Sequence, residues 1–232
     1  MNLLITGAGR GLGLQLTREA AERGHTVWAG VRGPASAGKL KELQEKHGDS
    51  IRLLTLDVED EGSIVQAAQE LTHQAGVLDG IINNAAVLLG REQKLESLSL
   101  EELEQSFRVN LYGPIAVAKY IMPLLRKGEQ QAIINISSEA GGFAGAYDGD
   151  YGYALSKSAL NMFTAQLHKA FTPQGYAVYA VHPGWIRTDM GGASAPGDAG
   201  EAAKGILDLI ERKVIPPEGA FFINADGSPR AL

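Results

Sequence analysis

The chain has 232 residues, 44% hydrophobic and 21% charged, enough to bury a full core as a single domain over residues 1–232. It contains no cysteine, which excludes disulfides, thiolate metal sites and cysteine nucleophiles and fits a reducing, cytoplasmic setting. The formal charge of -6, with Lys and Arg scattered, speaks against a nucleic-acid surface, and no apolar run approaches the roughly 20 residues of a membrane span.

The opening "MNLLITGAGRG" has a very short apolar run and no basic flank, unlike a signal peptide. From there, β-branched or aliphatic runs recur in chain order: "LLIT", "TVWAGV", "IRLLTLDV", "DGIINNA", "AIINISS", "YAVYAVHPG" and "AFFIN". Between them, residues 12–23, 63–74, 99–127, 152–171 and 200–212 have the length and amphipathic spacing of crossover helices. Strands buried on both faces read as continuous apolar runs, so the alternation predicts an α/β fold: a doubly wound, seven-stranded parallel sheet with helices on both faces. The stretch "GGASAPGDAG", residues 191–200, is small and glycine-rich and predicts a short mobile loop. In such sheets ligands bind beyond the carboxyl ends of the strands.

The first run ends in "TGAGRGLG", residues 6–13, spaced T-G-x-x-x-G-x-G rather than G-x-G-x-x-G. Gly7, Gly11 and Gly13 stand where a tight turn approaches a pyrophosphate, and the helix opening near Gly11 and Leu12 offers free N–H groups to it. The end of the second run selects the dinucleotide, because a carboxylate there suits NAD and a cation suits the 2′-phosphate of NADP. "VWAGVRGP" has no acid and ends in Arg32, and Arg10 lies inside the glycine turn. Two guanidinium groups favour NADP(H), with NAD(H) admissible if both are solvated surface groups.

With "TGAGRGLG", "LDV" (56–58), "NNAA" (83–86), "VNLYGP" (109–114), "INISS" (134–138), "YALSK" (153–157) and "HPGWIRTDMGG" (182–192), the chain resembles the short-chain dehydrogenase/reductase family over nearly its whole length. The last motif and the short C-terminal third are most similar to the C-factor and sniffer-type carbonyl reductases. The resemblance implies a Rossmann-type sheet and a reacting set of Ser138, Tyr153, Lys157 and Asn110. It implies that Asp57 and Val58 meet the adenine, that Asn84 and Ala85 meet the ribose, and that Pro183, Gly184, Ile186 and Thr188 close over the nicotinamide. Tyr153 would exchange the proton, Lys157 would hold the ribose and lower the phenol pKa, Ser138 would orient the substrate oxygen, and Asn110 would hold a relay water. No metal is implied; homo-oligomers, dimers or tetramers, are common in the family. "NNAA" departs from the commoner "NNAG" at Ala86, which matters only if that position needs φ > 0. The interval from Ser138 to Tyr153 is about two residues longer than usual, in a loop expected to shape the substrate site.

Three tyrosines crowd "YDGDYGYALSK", but only Tyr153 has a lysine four residues on, one helical turn away. Tyr147 and Tyr151 read either as ordinary packing or as walls for an apolar or aromatic carbonyl compound, with Phe143 and Trp185 as further wall candidates. The reading is an NADP(H)-dependent aldehyde or ketone reductase acting on a small-molecule carbonyl or alcohol. The alternative is a dinucleotide-binding signalling or regulatory protein of the C-factor type with incidental catalysis.

Overall fold

In the computed structural model, which describes residues 1–126, 128 and 130–232, the seven runs form one parallel sheet. Its strands are β1 (Asn2–Thr6), β2 (Thr26–Val31), β3 (Ile51–Thr55), β4 (Gly80–Asn83), β5 (Ala132–Ile136), β6 (Ala177–His182) and β7 (Phe222–Asn224), in the order β3-β2-β1-β4-β5-β6-β7. Each helical crossover is α1 (Gly11–Glu22), α2 (Gly38–His47), α3 (Glu61–Gln74), α4 (Leu100–Phe107) continuing to α5 (Gly113–Leu125), α6 (Tyr151–Phe171) or α7 (Ala199–Ile210).

The strands sort their side chains by alternation. Leu3 and Ile5 of β1 face one core with Leu16 and Ala20 of α1 and Ile206 and Ile210 of α7; Leu4 between them faces the other, with Leu71 of α3 and Ile121 of α5. All nine are at most 1% exposed, so the sheet is a rigid two-sided base. Chain order reverses at β1, which pairs with β2 on one side and β4 on the other. That switch point is where a doubly wound sheet opens a crevice for a ligand, and it lies directly above the glycine turn.

Two expectations need adjustment. Residues 100–125 form one continuous helical run, but it widens into a π turn at Arg108–Tyr112 between α4 and α5, and Lys127 lies outside the described residues. Residues 191–200 are not left loose: Gly197 bridges Ile186, its N–H donating to the Trp185 carbonyl at 3.0 Å, while Arg187 donates to the Ala195 and Pro196 carbonyls. Helix α2, unanticipated in the sequence, fills the β2–β3 crossover, burying only Leu40 and Leu43.

Candidate active site

The crevice is built first by the glycine turn. Gly7 and Gly11 take φ of 65° and 52°, values a side chain disfavours. Gly13 is pressed harder: a Cβ there would sit 2.3 Å from the Gly7 carbonyl and 2.6 Å from Asn84 Nδ2. The turn is stitched to β4, with Asn84 Nδ2 donating to the carbonyls of Thr6 (2.9 Å) and Gly7 (3.1 Å). In return, the Asn84 and Ala85 N–H groups both donate to Thr6 Oγ1 at 3.0 Å. Asn84 therefore acts on the turn, and Thr6, which no sequence motif singled out, shapes it from the other side. Ala86 does not need φ > 0, so its departure from glycine carries no strain.

Helix α1 begins at Gly11 with no side-chain cap and no acid in its first turn. Its free N–H groups and positive dipole end suit an anion, the fit that a dinucleotide pyrophosphate requires. Arg32 is exposed just past β2. Arg10 spans the crevice to Asp189, Nη1 to Oδ2 at 3.4 Å, both side chains 72% exposed. Asp57 follows β3, and its Oδ1 accepts from the Glu59 N–H at 3.1 Å, a local turn. Val58 is buried against Gly113. Beyond β6, Pro183 and Gly184 turn the chain, Ile186 is buried, and Thr188 packs where a Gly11 Cβ would point while its Oγ1 accepts from the Gly191 N–H at 3.1 Å.

Beside this crevice α6 carries Tyr153 and Lys157 on one face. Lys157 Nζ lies 5.5 Å from the Tyr153 ring centroid and donates to the Ile136 carbonyl of β5 at 2.7 Å. Burial drives its amine pKa down to about 7. Burial likewise raises the Tyr153 phenol; Ser138 opposes that rise, Asp150 adds to it and Arg91 opposes it. Ser137 and Ser138 part as strand alternation requires: Ser137 Oγ donates to Asn161 Oδ1 at 2.5 Å in the core, and Ser138 faces Tyr153.

Asn110 sits in the π turn, not in a regular helix interior, and is 1% exposed. Its Oδ1 accepts from the Val87 N–H at 2.9 Å, and its Nδ2 donates to the Val87 carbonyl (2.9 Å) and Ser156 Oγ (3.0 Å). Both amide donors are used, so a relay water would fall to its backbone. Ser156, unassigned in the sequence, donates to the Tyr153 carbonyl at 2.8 Å and so ties Asn110 to the reacting helix.

The wall candidates divide. Tyr147, half exposed, interacts electrostatically with Tyr153 and Arg91. Tyr151 donates to Asp148 Oδ1 at 2.7 Å, in an outer group with Lys94. Trp185 donates from its indole to the Gly191 carbonyl at 2.8 Å, and Phe143 is 78% exposed, leaving the mouth open.

Residues 1–198 match the family model described as short chain dehydrogenase. The chain belongs to the short-chain dehydrogenase family. Among the solved short-chain dehydrogenases, carbonyl reductase Sniffer of Drosophila melanogaster superposes with a TM-score of 0.90 at 31% identity, covering 100% of this chain and 99% of that one. An NADPH-bound carbonyl reductase from chicken fatty liver superposes at 0.88 and 29% identity, covering 100% and 98%. C-signal of Myxococcus xanthus is 34% identical over 63% of this chain and 89% of its own length. The protein is thus an oxidoreductase-family member whose fold binds a nicotinamide dinucleotide. No helix among the described residues is long and apolar enough to cross a membrane.

One further residue of this dehydrogenase supports the site from below. His182 ends β6, and its Nδ1 accepts from the Glu139 N–H at 3.2 Å, fixing the chain that follows Ser138. Burial pushes the imidazole down to about 4, so the folded state refuses a proton that the unfolded chain accepts between pH 6.5 and about 4. Stability should be full above pH 6.5 and fall as the pH drops toward 4. In melting curves across that range, His182→Gln should flatten part of the slope; an unchanged slope would remove His182 as its source.

Proposed function

We propose that the protein is an NADP(H)-dependent carbonyl reductase, reducing an aldehyde or ketone through Ser138, Tyr153, Lys157 and Asn110. The observation that carries this reading is the meeting of Ser138 and a buried Tyr153 beside Lys157, which is held at the carboxyl end of β5, while the glycine turn follows the carboxyl end of β1 in the same parallel sheet. When bound, the nicotinamide supplies the hydride to the carbonyl carbon. Ser138 donates a hydrogen bond to the carbonyl oxygen, and Tyr153, kept neutral by burial, gives that oxygen its proton as it becomes a hydroxyl. Lys157, with its pKa near neutral, can return a proton to the phenolate, and Asn110 holds the Val87 segment and Ser156 in place around them. Gly7, Gly11, Leu12 and Gly13 would hold the pyrophosphate. Asp57, Val58, Asn84 and Ala85 would meet the adenosine half, and Pro183, Gly184, Ile186 and Thr188 the nicotinamide half. Tyr147 and Trp185 would line the substrate mouth, with Phe143 and Tyr151 farther out.

For the 2′-phosphate, Arg32 and Arg10 are the cations, and Arg10 must first leave Asp189. That exchange is favourable, since an exposed ion pair contributes about 0–1 kcal/mol and a hydrogen bond to a charged group about 1.5–3 kcal/mol. Arg32→Ala should weaken NADPH roughly 10-fold or more in fluorescence titrations and leave NADH nearly unchanged. Equal wild-type affinities for NADPH and NADH would refute the phosphate site.

A second reading, a dinucleotide-binding signalling protein with incidental catalysis, is favoured by the similarity to C-signal. A panel of aldehydes, ketones and quinones with NADPH separates them: turnover of none favours signalling. Pairing into a dimer or tetramer is part of the same proposal and is read from sedimentation.

A further inference from the structure

The face of α6 that carries Tyr153 and Lys157 continues with Asn161, one turn on, and Thr164, three residues further. Asn and Thr are poor helix formers in mid-helix, so their contacts have to account for them. Both reach β5 or the residue just after it. Thr164 Oγ1 accepts from Asn135 Nδ2 at 2.8 Å, and Asn161 Oδ1 accepts from Ser137 Oγ at 2.5 Å. All four residues are at most 2% exposed, which strengthens such bonds by keeping water out.

Asn161 does more than tie helix to sheet. Its Nδ2 donates to the Gly141 carbonyl at 3.2 Å; a carbonyl can only accept, so the amide nitrogen faces Gly141 and the oxygen faces Ser137. Ser137 immediately precedes Ser138, and Gly141 ends the short turn Glu139–Gly141 that follows it. One carboxamide therefore grips the chain on both sides of Ser138. The same Gly141 carbonyl accepts from Ser158 Oγ at 2.7 Å. The turn rests on the α6 backbone itself, since a Cβ on Gly141 would lie 2.7 Å from the carbonyl carbon of Lys157 and 2.9 Å from its oxygen. Within the turn, Ser138 Oγ accepts from the Ala140 N–H at 3.2 Å, which leaves its O–H to donate outward. The Thr164 bond differs: it meets β5 three residues before Ser138 and touches nothing after it.

We propose that Asn161 is a positioning residue whose carboxamide, bonded to Ser137 and Gly141, clamps the turn that aims the Ser138 hydroxyl at the carbonyl oxygen. The clamp itself stands on these contacts; its consequence in turnover rests on the reductase reading.

Asn161→Ala removes both arms, and Thr164→Val is the matched control, taking a buried bond to β5 from the same helix face without touching the turn. Peptide-level hydrogen exchange of the cofactor-free protein reads the clamp without any reaction. Asn161→Ala should speed exchange of the amides of residues 139–142 by roughly 10-fold, and Thr164→Val should leave them within twofold. For NADPH-dependent 4-nitrobenzaldehyde reduction, Asn161→Ala should lower kcat by roughly 10-fold or more with NADPH affinity within threefold, while Thr164→Val stays within twofold of wild type. In a Ser138→Ala background, Asn161→Ala should cost less than a further twofold, because the hydroxyl it aims is gone. Unchanged exchange at residues 139–142, an equal kcat loss in Thr164→Val, or a full further loss on top of Ser138→Ala would overturn the proposal. Faster exchange in a protein that reduces no carbonyl upholds the clamp and defeats the reductase reading alone. Should Asn161→Ala fail to fold, Ser137→Ala, which removes one arm, decides by the exchange reading: faster exchange at residues 139–142 supports the clamp, and unchanged exchange refutes it.

Discussion

Tyr153→Phe should reduce NADPH-dependent aldehyde turnover by about 10²- to 10⁴-fold, the range that positioned proton transfer contributes. Phenylalanine keeps the buried ring and removes only the oxygen that meets Ser138 and carries the proton. The Lys157 amine stays pinned to the Ile136 carbonyl, and the glycine turn, which is stitched to Asn84, does not touch the phenol. NADPH affinity, read by fluorescence titration, should therefore change less than threefold, on the order of 0.6 kcal/mol. Turnover within tenfold of wild type would mean that another group supplies the proton.

Gly13→Ala should have the largest effect on the cofactor side. The added methyl meets the Gly7 carbonyl at 2.3 Å, Asn84 Nδ2 at 2.6 Å and Ala8 Cα at 3.0 Å; two of these are backbone and cannot swing away. Relief requires opening the Asn84 stitch, and overpacking of this kind costs about 1–3 kcal/mol. In a chain of this size each kcal/mol lowers Tm by about 2–4 °C, and NADPH affinity should fall along with it. Gly11→Ala is the contrast, since its Cβ would have 3.4 Å of room beside Thr188 and would suffer only from its positive φ. A Gly13→Ala protein with wild-type Tm and NADPH affinity would contradict the tight-turn account.

What was legible in the sequence follows from where the information lies. Most of the seven strands were readable because they are buried on both faces and write continuous apolar runs; β3, only partly buried, carries Arg52 and stops at Thr55, short of the "LDV" that follows. Tyr153 and Lys157 were readable because four-residue spacing fixes one helical face. The π turn between α4 and α5 was not, since it keeps Val109 and Asn110 buried and the apolar rhythm unbroken. Helix α2 writes too thin a stripe, with Leu40 and Leu43 alone buried. The order of residues 191–200 depends on backbone contacts to Trp185 and Ile186, where a Cβ on Gly191 would come 2.0 Å from the Ile186 carbonyl, and composition carries no trace of that. Tyr147 and Tyr151 looked equivalent because only the path of the loop turns one toward Asp150 and the other toward Asp148.

The central claim, hydride transfer to a carbonyl with the proton supplied by Tyr153, is tested most directly by following label into product. With NADPH deuterated at the transferring position of the nicotinamide and 4-nitrobenzaldehyde as acceptor, mass spectrometry should find one deuterium on the carbinol carbon of the alcohol. Tyr153→Phe should form almost none of that alcohol. Alcohol without deuterium, NADPH consumed without alcohol, or labelled alcohol at an undiminished rate from Tyr153→Phe would contradict it.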